Sequence, residues 1–167
     1  LVGSEMCIRD RCKVMAIRMT TSMSEIDALI KAETERVDKI AIQALSNLGD
    51  MCVAEARDRA QEESWFNQTG NLRSSVGYVV VAHGRIVKSS DFGTVLHGSE
   101  GSRLGKVLAE ERAKKYSNGY ALIVVAGMNY AELVEARDNK SVLASAELLA
   151  HAEFYNVMEK LRNQVAK

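Results

Sequence analysis

The three histidines are the side chains in this sequence best suited to acid–base or metal chemistry, and they are scattered along the chain. His83 follows a β-rich run, His97 lies in a glycine-rich stretch and His151 lies in a helical pattern. No His-x-x-x-His, Cys-x-x-Cys or Gly-x-Ser-x-Gly pattern occurs, so the sequence lacks the local signatures of a zinc site, a redox pair or a nucleophile elbow. We therefore predict no catalytic residue, no metal site and no cofactor, and expect a protein that is not an enzyme.

Two further patterns have the spacing of a binding site without its chemistry. Gly93 and Gly98 match the Gly-x-x-x-x-Gly spacing of a phosphate loop, but Glu100 stands near the position where lysine and then serine or threonine are required. An acidic residue there would repel phosphate, so we reject this interpretation.

Glu132 and Glu135 lie three residues apart on one helical face and could share a cation. No third acidic ligand follows at helical spacing, and a solvated helix edge is the simpler interpretation.

Composition limits the class of protein. A chain of 167 residues suits one domain and is long enough to bury a core. The 22 basic and 22 acidic residues balance to zero, which argues against specific nucleic-acid binding because such proteins usually carry a basic excess. No apolar run approaches the ~20 residues that cross a bilayer, so we expect no membrane partner. The absence of proline is typical of long helices and Gly/Asn turns.

The beginning of the chain differs in character from the rest. Residues 1–11 resemble translated sequencing-adapter read-through, and charged residues interrupt the apolar segment that a signal peptide would need. We therefore expect residues 1–23 to be a non-native or disordered leader and residues 24–167 to form a single domain. Three methionines are possible natural starts: Met15, Met19 and Met23. Of the three cysteines, only Cys52 lies beyond the leader. We predict that it is a buried, inert thiol in a protein of the reducing cytoplasm.

A long helix is predicted first, from about Ser24 to about Glu62. Ser22 and Glu25 have the spacing of a capping box, and apolar residues then recur with a period of 3.6. A helix of this length would extend on the order of 55 Å. Either Gly49 and its neighbours kink or split it, or its first turns project and pack on a neighbouring subunit; a continuous helix also remains open. Trp65 and Phe66 are expected to close its end.

The middle of the chain predicts a hairpin followed by a loop. Residues 76–90 read as two β-strands with His83-Gly84 as a two-residue turn and the more charged second strand at a sheet edge. Residues 91–101 hold three glycines and apolar residues without helical period, so we predict a mobile loop that makes contacts. Ser99 or Ser102 is expected to cap a short helix through Lys115, with its leucines and Val107 facing inward.

The last third predicts a strand and two helices. Residues 120–126 are apolar without alternation, which is typical of a central strand covered on both faces. A short helix over residues 130–136 and a turn at residues 138–140 follow, and residues 141–143 are a possible strand fragment. Ser145 is expected to cap a helix to about Val165. Its predicted buried line is Leu148, Ala152, Tyr155, Met158, Leu161 and Val165.

The octet at residues 68–75 connects the long helix to the sheet. Thr69 can accept a backbone N–H, Gly70 can adopt a positive φ and Asn71 tolerates a turn. Leu72 is the large apolar residue of the octet, so we expect its side chain to be buried and to anchor the junction to the core. The predicted fold class is therefore α+β: a long N-terminal helix, an antiparallel or mixed sheet with a hairpin, a short middle helix and a C-terminal helix packed on the sheet.

The Thr-Gly-Asn-Leu-Arg-Ser-Ser turn after a long amphipathic helix resembles the signature of a family of tailed-phage proteins. These are the tail-completion or head–tail joining minor tail proteins of siphovirus-like phages. The Tyr-Ala-x-x-Val-Glu segment of that family is similar to the segment that begins at Tyr130 and ends at Glu135 here. The resemblance covers roughly residue 24 to the C-terminus, and the glycine-rich stretch at residues 91–115 departs from it, which leaves open which neck component this is.

The resemblance implies a structural virion protein that assembles into a ring at the phage neck or tail top, and a six-fold ring is the expectation. It implies a place in the virion, and in the host cytoplasm during assembly, with other neck or tail proteins as partners and no cofactor. Expected contact surfaces are the projecting start of the first helix, the hairpin tip and the loop. The candidate interface residues are His83, Phe92, Val95 and Leu96. The alternative is a non-viral soluble α+β domain that binds a ligand or nucleic acid.

Overall fold

A computed structural model describes residues 21–58, 69–136 and 141–166 of the protein. Within these ranges the chain is α+β, as predicted. The elements in chain order are α1 (Met23–Arg57), α2 (Asn71–Ser75), β1 (Val76–Ala82), β2 (Arg85–Ser89), α3 (Ser99–Ala113), β3 (Tyr120–Ala126), α4 (Ala131–Ala136) and α5 (Ala144–Val165).

The three strands form one antiparallel sheet in the order β2-β1-β3. The predicted hairpin is confirmed, because β1 and β2 pair around His83 and Gly84, whose φ angles are +51° and +77°. The prediction that residues 120–126 form the central strand is wrong, because among the described residues β3 pairs only with β1, and β1 is the central strand. The whole of β1 is buried on both faces, whereas β2 is exposed along its length.

The first helix is continuous through Gly49, so among the alternatives that the sequence left open the kink or split is excluded and the continuous helix is confirmed. Its start is capped as expected: the Ser22 hydroxyl accepts a hydrogen bond from the Glu25 N–H at 3.2 Å, and the Glu25 carboxylate accepts one from the Ser22 N–H at 3.0 Å. The described helix therefore begins inside the segment predicted to be leader. The first turns are exposed, and Leu29 and Ile30 lie on their surface.

Helices cover the sheet on both faces. Helix α3 packs on one face, over a cluster that includes Val79, Phe92 and Ile123. Helices α1 and α5 pack against each other on the opposite face, over a cluster that includes Leu48 and Val76. Because side chains of a strand alternate between faces, β1 and β3 contribute to both clusters.

Small residues form the inward face of α3, which corrects the predicted inward face of Leu104, Val107 and Leu108. The buried residues of this helix are Gly101, Ser102, Gly105, Ala109 and Ala113. Val107 is exposed, and the two leucines are half-buried. The residue before the helix is Gly98, and neither Ser99 nor Ser102 caps it; the Ser102 hydroxyl instead donates to the Phe92 carbonyl at 2.6 Å. Small residues allow α3 to lie close to β1 and the α2 turn.

The predicted buried line of α5 is also wrong at most of its positions. Leu148, Tyr155 and Met158 are exposed, and Leu161 and Val165 are half-buried. The residues that pack on α1 and the sheet are Ala146, Leu149, Ala150 and Val157. Ser145 lies inside the helix rather than before it, and residues 141–143 form no strand.

Three predictions lie outside the described residues: the leader up to residue 20, the aromatic pair Trp65 and Phe66, and the turn at residues 138–140. Among the helices that are described, none is both long and apolar enough to span a bilayer.

Candidate functional site

The octet at the helix-to-sheet junction has the local structure that its sequence predicts. Gly70 has a φ of +82°, and the Thr69 hydroxyl accepts a hydrogen bond from the Asn71 N–H at 3.4 Å. Leu72 is buried against Val142 and seals the junction. These residues shape the protomer, since the short α2 turn leads directly into β1.

The loop at residues 91–101 is fastened to this junction by hydrogen bonds that the sequence did not reveal. The buried Ser74 hydroxyl accepts a bond from the Val95 N–H at 2.8 Å, and the Asn71 side-chain oxygen accepts one from the Gly101 N–H at 3.3 Å. A Cβ at Gly101 would lie only 1.9 Å from the Asn71 carbonyl oxygen. The predicted loop is found over residues 91–98, with a path set by these bonds, and residues 99–101 belong to α3; that the loop is mobile stays a prediction.

The candidate interface residues of this loop have different environments. Phe92 is buried in the core, so the prediction that it contributes to an interface is wrong: its ring fills the space beside Gly77 and Gly105, and it offers no surface to a neighbour. Val95 is half-buried. Leu96 is 65% exposed at the tip of a turn and has a φ of +53°, which a leucine rarely adopts. A large apolar side chain is thus held outward by the turn.

The tip of the hairpin is attached to the first helix by three polar side chains. The Tyr120 hydroxyl donates a short hydrogen bond to the Asp38 carboxylate, and the same oxygen lies 3.4 Å from His83 Nε2. The His83 and Tyr120 rings meet edge to face, with centroids 5.2 Å apart. The hydrogen bond to Asp38, followed by burial, raises the pKa of Tyr120 to about 12. The Tyr120 hydroxyl, and secondarily His83, hold the pKa of Asp38 below its usual value.

An open groove of about 510 Å³ lies between the start of α1 and this hairpin tip. Its residues are Leu29, Ile30, Glu33, Thr34, Val37, Asp38, His83 and Tyr120. Two of the three predicted contact surfaces, the projecting helix start and the hairpin tip, are therefore parts of one surface, which we call the tip groove.

The third predicted surface, the Leu96 turn, lies at the other end of the sheet. It is fastened beside Ser74, which precedes β1, whereas His83 directly follows β1. A strand of seven residues separates the two by about 20 Å. The chain thus carries two unlike surfaces with exposed apolar residues, one at each end of its central strand.

Glu135 has a structural role that sequence analysis missed. One oxygen of its carboxylate accepts hydrogen bonds from the N–H groups of Val142, Leu143 and Ala144, at 3.0, 3.0 and 2.7 Å. The Ser141 hydroxyl accepts a fourth, from the Ser145 N–H at 2.8 Å. The carboxylate of α4 therefore caps the start of α5, where an anion is stabilised by unpaired amides. This cap comes from another helix, so no local motif could have predicted it.

The remaining motif and chemical residues do not converge. Tyr130 packs beside Leu72 and Val142, and burial raises its pKa. The thiol of Cys52 is buried as predicted, and burial raises its pKa as well. Within the described ranges, no three His, Cys, Asp or Glu side chains lie close enough to hold a metal ion.

Comparisons of the chain with protein-family models, with curated proteins and with solved structures give no match. The resemblance to the tail-completion family, which rests on the two motifs, stays a prediction.

Proposed function

We propose that the protein is a structural virion component, a head–tail connector or tail-completion subunit that acts by assembling into a ring at the neck or tail top of a long-tailed phage. The observation that carries this proposal is the pair of unlike apolar surfaces at opposite ends of β1, the tip groove and the Leu96 turn. A protomer with two different contact surfaces associates head to tail, and such contacts produce a ring when the rotation closes.

The Leu96 turn has the features of a contact point that is set before binding. Its leucine holds a positive φ, and strained backbone of this kind persists where the surroundings fix it, often at functional sites. The contacts that fix the turn are two hydrogen bonds: the Ser74 hydroxyl accepts one from the Val95 N–H at 2.8 Å, and the Val95 carbonyl accepts one from the Gly98 N–H at 3.0 Å. A turn whose backbone is already fixed loses little backbone conformational entropy on docking, which favours affinity.

The tip groove has complementary features. Leu29 and Ile30 expose most of their surface on its α1 side, and the Asp38–Tyr120–His83 cluster fixes its sheet side. In the proposed ring, for which the family resemblance implies a hexamer, the Leu96 turn of one protomer packs into the tip groove of the next. Other neck or tail proteins would then dock on the assembled ring, in the virion and in the host cytoplasm during assembly. The motif residues Thr69, Gly70 and Leu72 would serve by shaping the protomer.

Light scattering coupled to size-exclusion chromatography tests the proposal over a wide range of protein concentration. We expect a closed oligomer of one mass, and we expect Leu96→Asp to convert it to a monomer with an unchanged far-UV circular dichroism spectrum, because aspartate tolerates the positive φ better than leucine does. Val107→Asp is the matched control, since Val107 is an exposed apolar residue outside both surfaces. A wild-type monomer at all concentrations would contradict ring assembly and favour the non-viral binding domain.

A further inference from the structure

The outer edge of β3 is an unpaired sheet edge. β3 pairs with β1 from Tyr120 to Ala126, and within the described ranges no strand lies along its other side. The ladder is flanked by a bond from the Gly127 N–H to the Ser75 carbonyl at 3.1 Å and by one from the His83 N–H to the Gly119 carbonyl at 2.8 Å. In an antiparallel pair these bonds recur at every second residue. The backbone groups of Leu122, Val124 and Ala126 therefore point outward, away from β1.

A groove runs along this edge between two helices. One part, of about 380 Å³, lies on the α3 side, where Leu108, Arg112 and Lys115 face the backbone of residues 123–126. A second part, of about 270 Å³, lies on the α5 side, where Ala146 and Ala150 form the wall. Val124 and Leu143 line both parts, so the two are continuous. The floor of the groove thus presents backbone amide and carbonyl groups that pair with no strand of the described residues, and its walls combine apolar side chains with Arg112, Lys115 and Glu147.

The two edges of the sheet differ in how they are protected against pairing. β2 carries Arg85 and Lys88, and its register with β1 shifts between Val80 and Val81. Charges and irregularities of this kind are devices by which edge strands avoid pairing with other chains. β3 has neither, because its seven residues are uncharged and its register is unbroken. An unprotected apolar edge is the template on which strand addition occurs.

Charge indicates what kind of segment pairs there. Arg112 and Lys115 lie on the α3 wall of the groove, and no ion pair joins either to an acidic side chain of the described residues. Glu147 on the opposite wall lies 3.9 Å from His151. A segment with acidic residues beside Arg112 and Lys115 is therefore favoured. A second copy of this chain that paired through its β2 is disfavoured, because that strand would bring Arg85 and Lys88 to the same wall.

We propose that the β3 edge binds an extended segment of another protein, with alternating apolar residues and an acidic end, by adding it to the sheet as a fourth strand. Backbone hydrogen bonds to Leu122, Val124 and Ala126 would supply affinity, and Arg112 and Lys115 would select the acidic end. This proposal is independent of ring assembly, since neither the tip groove nor the Leu96 turn takes part.

Fluorescence anisotropy with the full chain tests this proposal. The probe is a labelled peptide of alternating valine and threonine preceded by two aspartates; one matched peptide has lysines in place of the aspartates, and another has N-methyl groups on alternate amides. We expect the acidic peptide to bind, and each change to the peptide to weaken binding roughly tenfold or more. Equal binding of the N-methylated peptide, or no binding of the acidic one, would overturn the proposal.

Two variants locate the site. Lys115→Glu should lower the affinity for the acidic peptide roughly tenfold and raise the affinity for the lysine peptide. Lys106→Glu, at an exposed position of α3 outside the groove, should leave the binding of both peptides unchanged. Val124→Pro removes an outward N–H and should abolish binding, with circular dichroism showing whether the sheet is retained. Unchanged binding in Lys115→Glu would overturn the site, and self-association through β3 that the peptide displaces would overturn the proposed occupant.

Discussion

Gly49 in the middle of α1 lies against the ring of the buried Tyr78 in β1, so closely that a Cβ on Gly49 would be 2.6 Å from Tyr78 Cδ2. The absence of a side chain at Gly49 thus leaves room for the Tyr78 ring, and the glycine does not break the helix. It lets a continuous helix of 35 residues approach the central strand, while the exposed first turns of that helix extend to the tip groove. The packing of this pair therefore positions one of the two proposed contact surfaces.

Replacing Gly49 with alanine should destabilise the fold, against the ordinary trend in helices. Helix propensity alone would favour alanine by about 1 kcal/mol, whereas overpacking a buried site costs typically about 1–3 kcal/mol. The ring of Tyr78 is enclosed and cannot move away freely. We expect a net loss of about 1 kcal/mol in urea denaturation.

Ala54→Gly, at an exposed position of the same helix, is the control for propensity and should lose about 1 kcal/mol by itself. If Gly49→Ala proves more stable than the wild type, the Gly49–Tyr78 contact does not limit the approach of helix to strand.

Removing the Glu135 carboxylate should destabilise the C-terminal helix. Glu135→Ala leaves three amides of residues 142–144 without their acceptor, and losing a cap of this kind costs about 1–2 kcal/mol. Glu132→Ala is the matched control, because Glu132 is exposed on the same helix, and it should stay within about 0.5 kcal/mol of the wild type. Equal effects of the two substitutions in urea denaturation would contradict the capping role.

The Tyr120–Asp38 hydrogen bond should make stability fall at high pH. The pKa of Tyr120 is raised to about 12 in the folded protein, whereas a tyrosine in the unfolded chain has a pKa of about 10. The contribution of Tyr120 to the free energy of unfolding is therefore complete below about pH 10 and is lost as the pH rises toward 12. The pKa of Asp38 is lowered, so its contribution is present above about pH 4 and is lost as the pH falls further.

We therefore expect Tyr120→Phe to melt about 2 °C below the wild type near neutral pH, and the difference to shrink as the pH approaches about 11. Thermal melts at several pH values measure this. Tyr116→Phe, which changes an exposed tyrosine, controls for the loss of a hydroxyl and should melt with the wild type. If the difference in melting temperature between the wild type and Tyr120→Phe stays constant across the alkaline range, the hydrogen bond to Asp38 is not the source of the stability that Tyr120 contributes.

Local chemistry made part of the fold predictable. The Ser22–Glu25 capping box, the His83-Gly84 turn and the positive φ at Gly70 each depend on residues within three positions of one another. The burial of Leu72 was also predictable, because it is the large apolar residue in a polar turn. Each of these features is determined by the residues that form it, so the local sequence is enough to predict it.

Features that depend on distant contacts were not predictable. Phe92 is buried because Gly77 and Gly105, on two other elements, leave room for its ring, and no local pattern records that coincidence. β3 resembles a central strand because helices cover both of its faces, but apolar faces say nothing about whether an edge is paired. Tyr155 is exposed although it falls on an apolar helical line, because α5 has apolar residues on two lines and only one of them packs.

The most direct test of the proposed assembly mixes two defective variants. Leu96→Asp damages one surface and Ile30→Glu damages the other, and both residues are exposed in the protomer. We expect native mass spectrometry to show each variant as a monomer alone and the equimolar mixture as a heterodimer, because one intact contact remains between unlike variants and no ring can close. A mixture that stays monomeric, or a ring formed by either variant alone, would contradict the head-to-tail fit of these two surfaces.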